Sequence, residues 1–132
     1  MQKRVLFISP SSEDTNALRT MLDQASIALE YASDFHQARS ILEREAFGVV
    51  LTEARLPDAR WEDVVNLVRD AGLRSQVVVT HPFADARFWA DVLDFGAYDI
   101  LVQPFCCSEV KRIISNALSS RSDQRAQAHT AL

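Results

Sequence analysis

The chain has 132 residues, 48% of them hydrophobic and 24% charged, a length and composition that suit one domain with its own core and exclude both disorder throughout and two full domains. Fourteen Lys and Arg against eighteen Asp and Glu give a net charge of −4 and a pI near 5.3, so the totals offer no basic surface for nucleic acid or anionic lipid. No apolar run reaches the ~18 residues of a membrane span, Met1-Gln2-Lys3-Arg4 leads into only a short apolar stretch with no small-residue cleavage pattern, and the two cysteines, Cys106 and Cys107, are chain neighbours that rarely meet disulfide geometry; a cytoplasmic protein is expected.

Val5, Leu6, Phe7 and Ile8 form an unbroken apolar run closed by Ser9, Pro10, Ser11 and Ser12, the pattern of a strand covered on both faces. Ala17, Leu18, Met21, Leu22 and Ala25 then recur at helical spacing, with Ser11 or Ser12 placed to accept the free amide hydrogens of the first turn. A weaker strand is predicted over 27–32, where Ile27, Leu29 and Tyr31 alternate with Ala28 and Glu30. Asp34 and Gln37 read as a capping box for a helix that buries Phe35, Ala38, Ile41 and Leu42 and stops at Gly48. Val49, Val50 and Leu51 make a central strand, Leu56, Pro57 and Asp58 a turn, and Trp61, Val64, Val65 and Val68 a third helix ending near Gly72. Val77, Val78 and Val79 form the fourth strand, a helix runs from about Asp85 to Gly96, and Ile100, Leu101 and Val102 form the fifth strand. Ser108 is placed to cap a last helix carrying Val110, Ile113, Ile114 and Ala117. The domain is expected over 1–118, with 119–132, rich in Ser, Arg, Gln and Ala, as a polar tail or a linker.

Strict alternation of two-sided strands with amphipathic helices predicts an α/β fold, a doubly wound five-stranded parallel sheet with helices on both faces. In such sheets the site lies beyond the carboxyl ends of the strands, where strand order reverses. The residues to examine are therefore Ser9, Pro10, Glu53, Thr80, His81, Gln103 and Pro104.

The stretch Phe47-Gly48-Val49-Val50-Leu51-Thr52-Glu53-Ala54-Arg55-Leu56-Pro57-Asp58 resembles the third strand and following loop of response-regulator receiver domains. Val77-Val78-Val79-Thr80 is similar to their fourth strand with its switch threonine, and Phe95-Gly96-Ala97-Tyr98-Asp99-Ile100-Leu101-Val102-Gln103-Pro104-Phe105 to their fifth strand with its Lys-Pro-Phe signature. The resemblance runs in order from residue 4 to about Leu118. It implies the CheY-like, flavodoxin-like (βα)5 three-layer sandwich, a place in two-component phosphorelay signalling and transcription regulation, and a cis bond at Gln103-Pro104.

The site departs from the family pattern. Receivers hold Mg2+ with two acidic residues after the first strand, where this chain has Ser9 and Pro10; a hydroxyl and an imide ring do not replace two anionic oxygens. Glu13 and Asp14 follow closely, but in the first helical turn, where acidic side chains face the helix dipole. Glu53 stands at the phospho-acceptor aspartate, and its extra methylene displaces the carboxylate by about 1.5 Å, where ~1 Å of misplacement costs roughly 100-fold in rate. Gln103 replaces the charge-neutralising lysine, and of the family's key residues only Thr80 is unchanged. The expectation is a degenerate phosphorylation pocket of Ser9, Pro10, Glu53, Thr80 and Gln103 with no catalytic, metal or cofactor residues, in a pseudo-receiver that acts as a protein-interaction module and not as an enzyme. Glu53 reads either as a mimic of the phosphorylated state that hydrogen-bonds Thr80 or as a solvated carboxylate.

His36, His81 and His129 share no ligand spacing with the cysteines, and His81 is expected to narrow the pocket mouth. Cys106 and Cys107 read as buried small hydrophobes ahead of a helix whose dipole can lower a thiol pKa. If Ala86, Ala90, Leu93 and Ala97 face the sheet, Trp89 and Val92 point outward, and with Ile100 in place of the family's switch aromatic they form an exposed apolar patch. The resemblance places partner docking there, on the face of the fourth helix, fifth strand and fifth helix, with a second copy, a histidine kinase or an output domain as the occupant and no direct nucleic-acid or membrane contact. Two other readings stay open: autophosphorylation on Glu53 or Ser9, and small-ligand or flavin binding at the strand ends.

Overall fold

The computed structural model describes residues 3–130, with side chains through Ser120. The tail expected over 119–132 therefore falls almost wholly outside the described side chains. The elements are β1 (Arg4–Ile8), α1 (Ser12–Asp23), β2 (Ala28–Ala32), α2 (Phe35–Arg44), β3 (Val49–Glu53), α3 (Trp61–Asp70), β4 (Gln76–His81), α4 (Ala86–Phe95), β5 (Asp99–Val102) and α5 (Cys107–Thr130). All strand pairs are parallel and the sheet order is β2-β1-β3-β4-β5, so the chain reverses direction across the sheet between β1 and β3.

Side-chain alternation along each strand divides the core in two. Leu6, Ile8, Val50, Val77, Val79 and Ile100 pack under α2, α3 and α4. Val5, Phe7, Val49, Leu51, Val78 and Leu101 pack under α1 and α5, against Leu18, Leu22, Val110, Ile113 and Ile114. A strand buried on both faces needs a continuous apolar run, which is why β1, β3 and β4 read so clearly. β2 lies at the edge, and there Leu29 is buried while Tyr31 is 54% exposed.

The helix ends refine the sequence reading. Ser11 caps α1 by accepting from the Asp14 amide. Asp34 caps α2 through the Gln37 amide, while the Gln37 side chain accepts from Ser33, one residue before the cap. Gly48 does not stop α2, whose last residue is Arg44; a Cβ on Gly48 would collide with the Leu118 side chain, so its smallness serves the approach of α5 to β3. Ser108 does not cap α5: the Cys106 carbonyl accepts the first helical bond, from Val110 at 2.8 Å, and Ser108 is the second residue of the helix. Cys106 is exposed and Cys107 half-buried, against the expectation of buried thiols. The Cys106 thiol pKa is lowered by the Ser108 hydroxyl and by the amides of Glu109 and Ser108.

The largest correction concerns α4. Val92 and Ile100 are completely buried and Trp89 is half-buried against the core, whereas Ala86 and Ala90 are exposed and Leu93 is 44% exposed. The expected exposed patch of Trp89, Val92 and Ile100 does not exist. Two apolar stripes compete on this helix, and the one bearing Phe88, Trp89 and Val92 removes far more apolar area from water than one built mostly on alanines.

Candidate functional site

The pleat that sorts the core also assembles the site. Ser9 follows β1, Glu53 and Thr80 are register partners at the ends of β3 and β4, and Gln103 follows β5. Each lies two residues beyond a side chain in the α1/α5 half of the core, namely Phe7, Leu51, Val78 and Leu101, so all four fall on that face of the sheet. The structure brings these four predicted residues together at one edge. Pro10 is exposed beside them, and the Gln103-Pro104 peptide is cis.

Ser9 is 2% exposed and organises the centre. Its amide donates to the Ala32 carbonyl at 2.9 Å, its Oγ accepts from the Ser11 amide at 3.0 Å, and the same hydroxyl donates to Oε2 of Glu53. Burial raises the Glu53 pKa above its ordinary value, the donation from Ser9 opposes this, and the negative charge of Asp14 adds to it. Asp14, in the first turn of α1, accepts from Nε2 of Gln103 at 3.0 Å, which ties α1 to the segment after β5. Thr80 is 1% exposed; its carbonyl accepts from the Ala54 amide at 3.0 Å, while its Oγ1 has no hydrogen-bond partner among the described residues. The Glu53–Thr80 hydrogen bond of the mimic reading is thus absent, and the carboxylate is held by Ser9 instead.

Several contributors escape a reading of the sequence. Asp14 takes part through its partner Gln103, 89 positions away. Thr52 donates from Oγ1 to the Glu53 carbonyl at 2.9 Å. Asp58 accepts from the amides of Phe35 and His36 at 2.9 and 3.1 Å, which pins the loop after β3 to the start of α2. Although its limited burial raises the Asp58 pKa, these hydrogen bonds outweigh that and lower it. His81 does not narrow the pocket mouth: its Nδ1 accepts from the Phe83 amide at 2.9 Å and its ring lies 4.7 Å from that of Phe88, toward α4.

The residues do not fit the Mg2+ that the resemblance implies. Mg2+ requires near-octahedral oxygen ligands, with carboxylates supplying the charge. Among the described residues no three His, Cys, Asp or Glu side chains converge as a metal site. Asp14 and Glu53 are engaged by neutral donors, Gln103 turns its NH2 group inward, and Pro10 offers no side-chain ligand.

No family model matches the chain. It is 23% identical over 127 residues to the response regulator protein PilR of Pseudomonas aeruginosa, an alignment that covers 96% of this chain and 28% of PilR. It is 25% identical over 122 residues to the alginate biosynthesis transcriptional regulatory protein AlgB of the same organism, covering 91% of the chain and 27% of AlgB. The signal receiver domain of a putative LuxO repressor protein from Vibrio parahaemolyticus superposes with a TM-score of 0.88 at 17% identity, covering 96% of this chain and 97% of that one. The chain has the CheY-like receiver fold, and the curated proteins it is similar to are response regulators and transcriptional regulators. The chain spans about a quarter of the length of the curated relatives it matches. Among its described residues, no helix is long and apolar enough to cross a membrane.

Proposed function

We propose that this receiver domain does not carry out Mg2+-dependent phosphoryl transfer and serves as a phosphorylation-independent protein-interaction module in a larger cytoplasmic regulator. The observation that carries this reading is the hydrogen bond from Ser9 to Glu53. A receiver needs anionic oxygens at both positions to gather a divalent ion, and here a neutral hydroxyl closes directly onto the carboxylate. The same bond cross-links β1 to β3 where a metal would otherwise do so, and Gln103–Asp14 cross-links α1 to the end of β5.

Glu53 is a poor nucleophile in this setting. Its raised pKa keeps it protonated to higher pH than an ordinary glutamate, its oxygen is already hydrogen-bonded, and the neutral Gln103 stands where the family's lysine would meet developing phosphoryl charge. The similarity to a transcriptional regulatory protein supports a transcription regulator as the parent protein. The test is incubation with acetyl phosphate and Mg2+ followed by intact mass measurement. The expected result is an unchanged mass; a gain of one phosphoryl group on Glu53 or Ser9 overturns the reading.

A further inference from the structure

A second feature lies away from the strand-end pocket. Between α3 and α4 runs an open groove of about 430 Å3. Its floor is aromatic: Trp61 meets Phe88 edge-on at 6.2 Å and Phe95 at 5.2 Å, and Phe88 continues the series to His81 at 4.7 Å. Its walls are acidic, formed by Glu62 of α3 and by Asp91 and Asp94, one turn apart on α4. Among the described residues Arg60 is the one basic side chain lining it, and it is mostly exposed.

The charge in this groove is poorly answered from within the chain. Among the described residues Asp91 and Asp94 form no ion pair or side-chain hydrogen bond. Glu62 Oε1 is shut off from solvent without a hydrogen bond, its nearest cation being Arg60 Nε at 3.7 Å. A buried carboxylate oxygen in that state lacks a donor. An aromatic floor with carboxylates on both walls matches one side chain above others. Arginine stacks its planar guanidinium on ring faces while its fork of N–H donors serves carboxylates on either side. Phe95, 37% exposed, already has the Arg69 guanidinium 5.9 Å from its ring, on the flank of the groove.

We propose that the α3/α4 groove is a docking site for an arginine-bearing segment of a partner protein, with the guanidinium seated over Phe88 and Phe95 between Glu62 and the α4 aspartates. This rests on the reading of the chain as an interaction module and places its contact on a surface separate from the strand-end pocket.

The test is selection of a random peptide library against the whole chain, followed by titration of the best binder by NMR. The expected outcome is enrichment of peptides with an arginine flanked by apolar residues, with shifts at Trp61, Phe88 and Phe95. Replacing that arginine by neutral, isosteric citrulline should weaken binding about tenfold, as should the surface double variant Asp91→Asn/Asp94→Asn. Affinity should also fall with added salt. Recovery of peptides without arginine, no enrichment, binding indifferent to the double variant, or burial of the groove in a self-dimer seen by light scattering each overturns the proposal. A binder whose shifts map to another face sinks the groove but not the module. A phosphoryl mass gain sinks the phosphorylation-independent reading and leaves the peptide result to stand or fall alone.

Discussion

Ser9 and Glu53 show how far a single hydrogen bond can redirect a site. That the two would lie together follows from parallel strands ending at a common edge, and so was legible in the sequence. That Ser9, and not Thr80, would satisfy the carboxylate depends on side-chain conformations that no spacing rule encodes. The Asp14–Gln103 pair was hidden for the same reason, since its members share no local pattern. The environment of Glu53 yields a prediction of definite sign. Burial raises its pKa, so the folded chain holds this proton at pH values where the unfolded chain has lost it. Its favourable contribution is complete below the ordinary value of 4.5 and is lost as the pH rises through the raised value. Glu53→Gln keeps an oxygen for the Ser9 hydroxyl and removes the charge. Urea unfolding should find the variant equal to the parent near pH 4 and more stable near pH 7, by about 0.5 kcal/mol, since the half-exposed carboxylate is screened by solvent. A variant less stable at neutral pH would mean that the ionised carboxylate is a net stabiliser.

Elements with one unambiguous apolar stripe or run are legible in the sequence, and so are the ends of α4, whereas the face that α4 buries is not. A stripe of Ala86, Ala90 and Leu93 and a stripe of Phe88, Trp89 and Val92 both satisfy helical spacing, and only the packing against α3 and the sheet selects between them. That selection turns the aromatic edge of α4 toward Trp61 and thereby creates the groove. The end of α4 is equally specific. Gly96 caps it at φ 122°, ψ 5°, a conformation that L side chains rarely adopt, with its own amide bonded back to Leu93 and the Ala97 amide to Val92. A Cβ there would stand 3.7 Å from Val65, an ordinary contact, so the cost of adding one is backbone strain alone. Gly96→Ala should therefore destabilise the fold by about 1–2 kcal/mol without changing the denaturant slope. A loss well below that would show that the turn relaxes.

At the scale of the whole molecule, the two ends of the sheet have different tasks. The amino-terminal end is held by Arg4, whose guanidinium lies 4.5 Å over the Phe47 ring and 2.5 and 3.1 Å from the carboxylates of Glu45 and Glu30. This joins β1, β2 and the segment before β3. Arg4→Ala should lower stability by about 1–2 kcal/mol, from one cation–π contact and two partly screened ion pairs, while the amide shifts of Ser9, Glu53 and Thr80 stay unchanged. The carboxyl-terminal end carries the pocket, and the central claim concerns its chemistry: Ser9 engages Glu53 and Gln103 engages Asp14, and these groups do not gather a divalent ion. The most direct measurement is an NMR titration of the 15N-labelled chain with Mg2+, first alone and then with beryllofluoride. The account predicts that the amides of Ser9, Glu53, Ala54 and Thr80 keep their positions through both additions. Saturable shifts at those amides, dependent on Mg2+ and extended by beryllofluoride, would contradict it.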